Sequence, residues 1–211
     1  MSDEITLYTH PMSRGHIAHW MLEEVGVPYR IELIDFDRGT NKSPAFLALN
    51  PMGKVPTIVH RGVVVTEAAA VCAYLADAFP QAGLAPALDD PRRGTYLRWL
   101  FFAAGCGEPA LLDKVSPRKD PPPSRSIGYG SYDEVIAALE SAIRPGPYVL
   151  GEQFSAADVY VGSLIGWGMM VKSIEPRPAF VAYAKRLDER PAMQRVNQQC
   201  EKLAEQLKKP G

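Results

Sequence analysis

Residues 8–15, YTHPMSRG, bring several reactive groups into one short polar stretch between an apolar run and a helical pattern. Tyr8 and Ser13 offer hydroxyls, His10 an imidazole and Arg14 a permanent cation. A hydroxyl beside a helix N-terminus can stabilise an anion, because the first N–H groups of a helix lack partners. A serine at this place is equally a natural N-cap. The stretch alone therefore leaves a reaction centre and a polar turn as open alternatives.

The first 80 residues contain alternating strand and helix patterns in the order βαβαββα. A helix between the first two strands indicates a parallel pair joined by a right-handed crossover, and a hairpin adds antiparallel strands. We therefore predict an α/β unit with a mixed sheet. The predicted strands cover 4–10, 29–36 and a hairpin over 54–67 that turns at Arg61-Gly62, and the predicted helices cover 14–27, 43–51 and 67–79.

Strand patterns largely disappear after a proline- and glycine-bearing linker, and the second half predicts an all-helical domain. We place the N-terminal domain at 1–80, the linker at 81–90 and the helical domain at 91–211. Asp90-Pro91 has the pattern of an N-cap followed by proline. The predicted helices cover 92–105, 131–143, 155–171, 178–189 and 191–207, with an exposed loop at 116–130.

The overall composition excludes several classes of protein. A formal net charge of −1 over 211 residues gives no electrostatic reason to expect a nucleic-acid partner or an anionic membrane surface. No apolar run has the length that spans a bilayer. The cysteines are few and far apart in sequence: Cys72, Cys106 and Cys200. We therefore expect neither a disulfide framework nor a metal site, and we expect a cytoplasmic location. Cys72 lies on an alanine-rich helix and is expected in the core.

The run NPMGKVPTIV, residues 50–59, places a proline at the start of a strand that must pair. Proline has no N–H to donate to a ladder. A cis Val55-Pro56 bond is one solution, and it would leave the N–H and C=O of Val55 free to pair with an extended ligand. A trans proline that begins the strand is the alternative.

Three motifs together resemble the cytosolic glutathione S-transferases over essentially the whole chain: NPMGKVPTI, VVVTEAAAVCAYLAD and GEQFSAADVYV. The resemblance implies a thioredoxin-like N-terminal domain with a four-stranded mixed sheet, followed by an all-α C-terminal domain. It also implies glutathione as co-substrate and a homodimer, in which Met52 is a candidate interface residue. In the third motif Ser155 and Asp158 have capping-box spacing, to which we assign a structural role.

The resemblance assigns one partner to each polar group of glutathione. Ala68 stands where the family usually has serine, so we expect weaker binding rather than none. For Glu67 the alternative role is a charge that complements the helix dipole, and for Lys42 and Lys54 it is a solvated surface position. The cysteinyl backbone would pair at Val55-Pro56, the γ-glutamyl group would be held by Glu67 and Ala68, and the glycyl carboxylate by Lys42 or Lys54, with Asn41 a weaker third.

The thiol of glutathione requires a donor that stabilises its thiolate. A free thiol has a pKa of about 8.5, and lowering it by about 2 units takes about 2.7 kcal/mol, which one hydroxyl and a helix N-terminus can supply. Family members use tyrosine at the place of Tyr8 or serine at that of Ser13, and we favour Ser13. Arg14 is a candidate for electrostatic support. The absence of Cys-x-x-Cys argues against a glutaredoxin-type role.

We therefore predict a glutathione S-transferase that attacks a hydrophobic electrophile or reduces a peroxide. The alternatives are a transferase-like binding protein without turnover and a specialised glutathione-dependent isomerase or dehalogenase. Helical aromatic residues are often core, which is the alternative for each pocket candidate. The electrophile pocket is expected among Tyr96, Trp99, Phe102, Cys106, Trp167 and Met170.

Overall fold

The computed structural model describes residues 4–208, which form two compact units. One unit comprises the described residues up to Ala82 together with those from Arg190 onward, and the other is Gly83–Glu189. The first unit has the predicted order βαβαββα. Its elements are β1 (Ile5–Thr9), α1 (Gly15–Val25), β2 (Tyr29–Leu33), α2 (Pro44–Leu49), β3 (Thr57–His60), β4 (Val63–Thr66) and α3 (Ala68–Ala78).

The four strands form one mixed sheet in the order β2-β1-β3-β4. The β1–β2 pair is parallel and the other two pairs are antiparallel, which confirms the sequence prediction. Thr57, the first residue of β3, is paired with Tyr8 on one side and Thr66 on the other. The carboxyl ends of β1 and β4 therefore meet the amino end of β3 at one end of the sheet.

The hairpin between β3 and β4 has the two-residue turn that the sequence predicts. His60 pairs with Val63, and the two residues between them, Arg61 and Gly62, have φ values of 52° and 78°. Two positive φ angles define a type I′ turn, whose twist matches that of the flanking strands. The turn residues thus fix the register that brings Thr66 opposite Thr57.

The core of this unit lies between the sheet and helices α1 and α3. Trp20 and Leu22 of α1 and Leu75 of α3 have no exposed surface, and neither have Leu7 of β1 and Ile58 of β3. Helix α1 ends where a glycine, Gly26, adopts φ 74°. Cys72 of α3 is also fully buried, and burial raises the pKa of its thiol to about 12. Cys72 is therefore a core residue, as predicted, and not a reactive thiol.

The second unit is helical. A π-helical stretch, Ala103–Gly107, joins α4 to α5, so the chain stays helical beyond the predicted end at 105. Helix α4 begins at Arg92, where the predicted helix begins, but its N-cap is Pro91 and not Asp90. Asp90 accepts a hydrogen bond from the N–H of Arg92 at 2.8 Å. The predicted loop at 116–130 contains only the 3-10 turn Ser124–Ser126. The helices are α4 (Arg92–Phe102), α5 (Glu108–Val115), α6 (Tyr132–Ala142), α7 (Ala156–Met170) and α8 (Pro178–Asp188).

Asp158 ties together three parts of the helical unit. Its carboxylate accepts hydrogen bonds from the N–H of Val149 (2.7 Å), the hydroxyl of Tyr183 (2.8 Å) and both the N–H and the hydroxyl of Ser155 (2.9 and 3.0 Å). Asp158 and Ser155 are fully buried, and burial raises the pKa of the Asp158 carboxyl while these bonds oppose that rise. The predicted capping box is confirmed, and it also anchors α8.

The last helix, α9 (Pro191–Lys208), packs against α1 and groups with the sheet unit, whereas the sequence-based limits assigned it to the helical domain. The physical reason is two acidic residues near the end of α1. Glu24 forms an ion pair with Arg190, and Glu23 forms one with Arg195. In each pair a carboxylate oxygen lies 2.6 Å from Nε of the arginine. None of the helices within residues 4–208 combines the length and apolar character needed to cross a bilayer.

Removal of the Asp158 carboxylate should destabilise the helical unit strongly. Asp158→Ala leaves four donors without an acceptor in the interior, and we expect a loss of about 3 kcal/mol or more in the free energy of unfolding. Glu134→Ala is the matched control, because Glu134 occupies the same capping-box position at the start of α6 but is exposed. Urea denaturation should show a loss under about 1 kcal/mol for the control. Equal losses would contradict the account.

Candidate functional site

A buried asparagine organises the loop between α2 and β3. The side-chain amide of Asn50, 4% exposed, donates to the carbonyl of Lys54 (2.9 Å) and to the hydroxyl of Thr57 (3.1 Å). Its oxygen accepts from the N–H of Met52 at 3.1 Å. The carbonyl of Lys54 also accepts from the Thr57 hydroxyl at 3.1 Å. These bonds satisfy the polar atoms of the buried Asn50 side chain and hold the segment that precedes β3.

Gly53 lets a second loop approach the same segment. Its φ is 63°, and a Cβ at this position would lie 2.7 Å from the carbonyl oxygen of Asn41 and 3.0 Å from Nζ of Lys42. The side-chain amide of Asn41 donates to the carbonyl of Gly53 at 3.1 Å. Asn41 therefore connects two loops, and the ammonium of Lys42 lies next to the residues that lead to Val55. Lys54 is exposed on this segment.

Val55 presents its main chain at the end of the sheet. The Val55-Pro56 peptide bond is cis, and β3 begins only at Thr57. Within residues 4–208 neither the N–H nor the C=O of Val55 has a hydrogen-bond partner. The Val55 side chain is 9% exposed and packs with Ile34 and Phe46. A packed side chain with an unpaired main chain is the arrangement that accepts an extended ligand as an added strand.

The start of α3 lies beside Val55, because Thr66 is paired with Thr57. Glu67 has φ 65° and ψ 117°, an unfavourable conformation for a residue with a side chain, with a cost of about 1–3 kcal/mol. Its side chain is exposed and caps no helix N–H. Within residues 4–208 the first N–H groups of α3, those of Ala68, Ala69 and Ala70, have no acceptor. The helix therefore offers open donors and a carboxylate at the same place.

Tyr8 and Ser13 differ in what their hydroxyls already bind. The Ser13 hydroxyl donates to the carbonyl of His10 at 2.7 Å and accepts from the N–H of Gly15 at 3.0 Å. The N-cap of α1 is Arg14, whose side chain is exposed, and not Ser13. The Tyr8 ring packs against Phe46 at 5.5 Å, and its hydroxyl has no hydrogen-bond partner among residues 4–208.

The sheet register brings most of the predicted ligand-binding residues to one end of the first unit. Strand pairing places Tyr8, Val55 and Glu67 at this end of the sheet. Lys42 lies near them because its ammonium approaches Gly53. Residues 4–208 contain no cluster of three or more His, Cys, Asp or Glu side chains placed to hold a metal ion.

The predicted pocket residues in the helical unit fall into two groups. Tyr96 and Trp99 are 0% and 4% exposed, so they belong to the core of that unit. Trp99 packs edge-on against Phe102 at 5.3 Å. The remaining four reach the surface to differing degrees: Phe102 and Cys106 are half-buried, and Trp167 and Met170 are 40% and 65% exposed.

Sequence reasoning missed the part played by Asn50 and Gly53, although both lie in the motif that carried the resemblance. The available signal was a helix that ends at Asn-Pro with a glycine two residues later, which is typical of a turn held by a side chain. The pattern does not reveal that the asparagine is buried, because that depends on the contact with Thr57 seven residues on.

Comparisons with known proteins identify the family of this chain. The glutathione S-transferase N-terminal domain family matches residues 3–77, and the corresponding C-terminal domain family matches residues 109–186. Glutathione S-transferase GstA of Escherichia coli O157:H7 is 25% identical over 194 residues, which cover 89% of this chain and 94% of that protein. Disulfide-bond oxidoreductase YfcG of Escherichia coli K12 is 26% identical over 200 residues, which cover 89% and 92%.

A solved structure of a glutathione transferase homologue from Sulfitobacter, with bound glutathione, superposes with a TM-score of 0.76 at 27% identity. The match covers 94% of this chain and 99% of that one. The chain therefore belongs to the glutathione S-transferase family.

Replacement of the Asn50 amide should loosen the whole segment before β3. Asn50→Asp keeps the shape but sets a carboxylate oxygen against the carbonyl of Lys54, and we expect a loss of about 2–3 kcal/mol in the free energy of unfolding. Asn41→Asp is the control, since Asn41 makes one such bond in a more exposed loop. Denaturant unfolding of both variants measures the difference. An Asn50→Asp variant as stable as the control would show that this network does not hold the segment.

Proposed function

We propose that this protein is a glutathione S-transferase, which binds glutathione at the common end of β1, β3 and β4 and stabilises its thiolate for attack on a hydrophobic electrophile or a peroxide. The observation that carries the proposal is the unpaired main chain of Val55 on a packed side chain. An extended peptide such as glutathione can donate to and accept from this residue as an added strand would.

Charged side chains and open N–H groups near Val55 complement the remaining groups of glutathione. We assign the γ-glutamyl ammonium to Glu67 and the adjacent carboxylate to the open N–H groups at the start of α3. The glycyl carboxylate goes to Lys42, whose ammonium lies near Gly53, with Lys54 and Asn41 as alternatives. The amide of Asn41 is already used on the carbonyl of Gly53, which favours the lysines.

The thiol step needs a donor and no protein nucleophile. The thiol proton leaves to solvent, and a hydroxyl hydrogen bond to the thiolate sulfur lowers the pKa of the thiol. A hydrogen bond to a charged acceptor contributes about 1.5–3 kcal/mol, against about 1 kcal/mol for a neutral carbonyl. The Ser13 hydroxyl can therefore exchange its bond to His10 for one to the thiolate, and we keep Ser13 as the first candidate. Tyr8 is the second, with Arg14 as electrostatic support.

The helical unit supplies the electrophile pocket in this proposal. Phe102, Cys106, Trp167 and Met170 are the candidates with exposed surface, whereas the burial of Tyr96 and Trp99 argues for structural roles. We propose a cytoplasmic homodimer, in which the 67% exposed Met52 would be covered.

A transferase-like binding protein without turnover is the second candidate. Two observations favour it: the Ser13 hydroxyl already donates to the main chain, and Ala68 provides no hydroxyl beside the open N–H groups of α3. The relative named a disulfide-bond oxidoreductase adds a third outcome, because its identity to this chain equals that of the transferase relative within one percentage point.

Two measurements on the full chain separate these outcomes. Calorimetric titration with glutathione tests binding, and rate assays with a chromogenic aryl halide and with a small mixed disulfide of glutathione test turnover. We expect binding and conjugation. Binding without either reaction would establish the second candidate, and reduction of the disulfide alone would establish the third. No heat of binding at millimolar glutathione would contradict the proposal.

The pH profile of conjugation identifies the thiolate donor. Ser13→Ala should raise the pKa of bound glutathione toward that of the free thiol, so the rate at neutral pH falls about tenfold or more and recovers at high pH. Tyr8→Phe is the matched comparison, since it removes the other hydroxyl and keeps the ring on Phe46. A loss confined to Tyr8→Phe would overturn our choice of Ser13.

A serine at position 68 should strengthen glutathione binding. Ala68→Ser adds a hydroxyl donor beside the open N–H groups, and one hydrogen bond of about 1 kcal/mol corresponds to about a fivefold lower dissociation constant. Ala70→Ser is the control, because it adds the same hydroxyl two residues further along α3. Calorimetry on both variants, with thermal unfolding as a check, makes the comparison. Equal affinities for wild type and Ala68→Ser would remove position 68 from the site.

A further inference from the structure

A small cavity of about 240 Å³ lies within the helical unit, between α5, the loop that follows it and the start of α6. Most of its wall is apolar, and two tyrosine rings contribute flat surfaces. The apolar and aromatic part of the wall comprises Ala110, Pro117, Pro121, Ile127, Tyr129 and Tyr132.

Asp113 holds the loop over this cavity. Its carboxylate accepts from Nε of Arg118 at 3.0 Å and from the hydroxyl of Tyr129 at 2.6 Å. The hydrogen bond from Arg118 is the main cause that lowers the pKa of the Asp113 carboxyl, so Asp113 is ionised at neutral pH. The negative charge at the cavity is therefore already bound by groups from the loop itself.

Two cations at the cavity retain donors. The ammonium of Lys114 lies 4.7 Å from the centre of the Tyr132 ring, and the hydroxyl of Tyr132 donates to the carbonyl of Ser173 at 2.6 Å, which fixes that ring. Among residues 4–208 the Lys114 ammonium and the terminal nitrogens of Arg118 have no hydrogen-bond partner. Two cations and one carboxylate leave a net charge of +1 on the wall.

We propose that this cavity binds a single-ring aromatic carboxylate. The carboxylate accepts from Lys114 and from the terminal nitrogens of Arg118, which match an anion with a fork of donors. The ring lies among the prolines and the two tyrosines, where aromatic packing adds to apolar burial. The volume is below the 300–1,000 Å³ of pockets that hold drug-sized ligands, which limits the occupant to about one ring. The site uses no group assigned to glutathione.

Benzoate and benzamide are the matched probes, because they share a ring and differ in charge. We expect benzoate to shift the amide NMR signals of residues 113–132 in the full chain without glutathione, with a dissociation constant on the order of 1 mM. Benzamide should bind at least about tenfold more weakly, since it lacks the charge that Lys114 and Arg118 recognise.

Lys114→Gln tests the charge and leaves the Asp113–Arg118 contact in place. We expect a five- to tenfold weaker benzoate affinity, about 1–1.4 kcal/mol, and no change for Lys119→Gln, which removes the same charge five residues along the loop at a residue outside the cavity wall. Equal affinities for benzoate and benzamide would overturn the proposal. So would equal effects of the two variants, shifts confined to other residues, or no shift at tens of millimolar benzoate.

Discussion

The candidate glutathione site depends most on the hydrogen bonds made by the side-chain amide of Asn50. This amide joins the end of α2 to Lys54 and Thr57, so the segment that carries Val55 is held from inside the protein. Thr57 is also the residue through which β3 pairs with both Tyr8 and Thr66. One buried polar residue thus connects the loop, the sheet register and the start of α3, and a polar group in that position is stable only because its hydrogen bonds are satisfied.

The division of roles along the chain follows from this arrangement. Burial and strand pairing fix main-chain groups, namely those of Val55 and the start of α3, whereas charged side chains such as Glu67 and Lys42 stay near the surface where a ligand can reach them. The proposed reaction would need little from the protein, because glutathione would bring its own sulfur. The absence of cysteine from residues 8–15 is therefore compatible with a thiol-based reaction. In the helical unit Asp158 has the same kind of organising role, with a carboxylate in place of an amide.

The strands, the hairpin turn and the end of α1 were predictable, because each of them produces a pattern among neighbouring residues of the sequence. Alternation identified the strands, the Arg61-Gly62 pair identified the hairpin, and Gly26 marked the end of α1. The placement of α9 was not predictable, since it depends on ion pairs between residues more than 160 positions apart, such as Arg190 with Glu24. Likewise, the sequence suggested Ser13 as a helix cap, but only the three-dimensional arrangement reveals that its hydroxyl binds the carbonyl of His10.

The central claim is that glutathione pairs with the main chain of Val55. Amide hydrogen exchange by NMR tests it directly, because the Val55 N–H has no hydrogen-bond partner among residues 4–208 without ligand. Saturating glutathione should slow exchange at Val55 by at least about tenfold, the effect of a bond of about 1.4 kcal/mol, and leave Val64 on the outer strand unchanged. Glutathione that binds with an unchanged exchange rate at Val55 would contradict this account of the site.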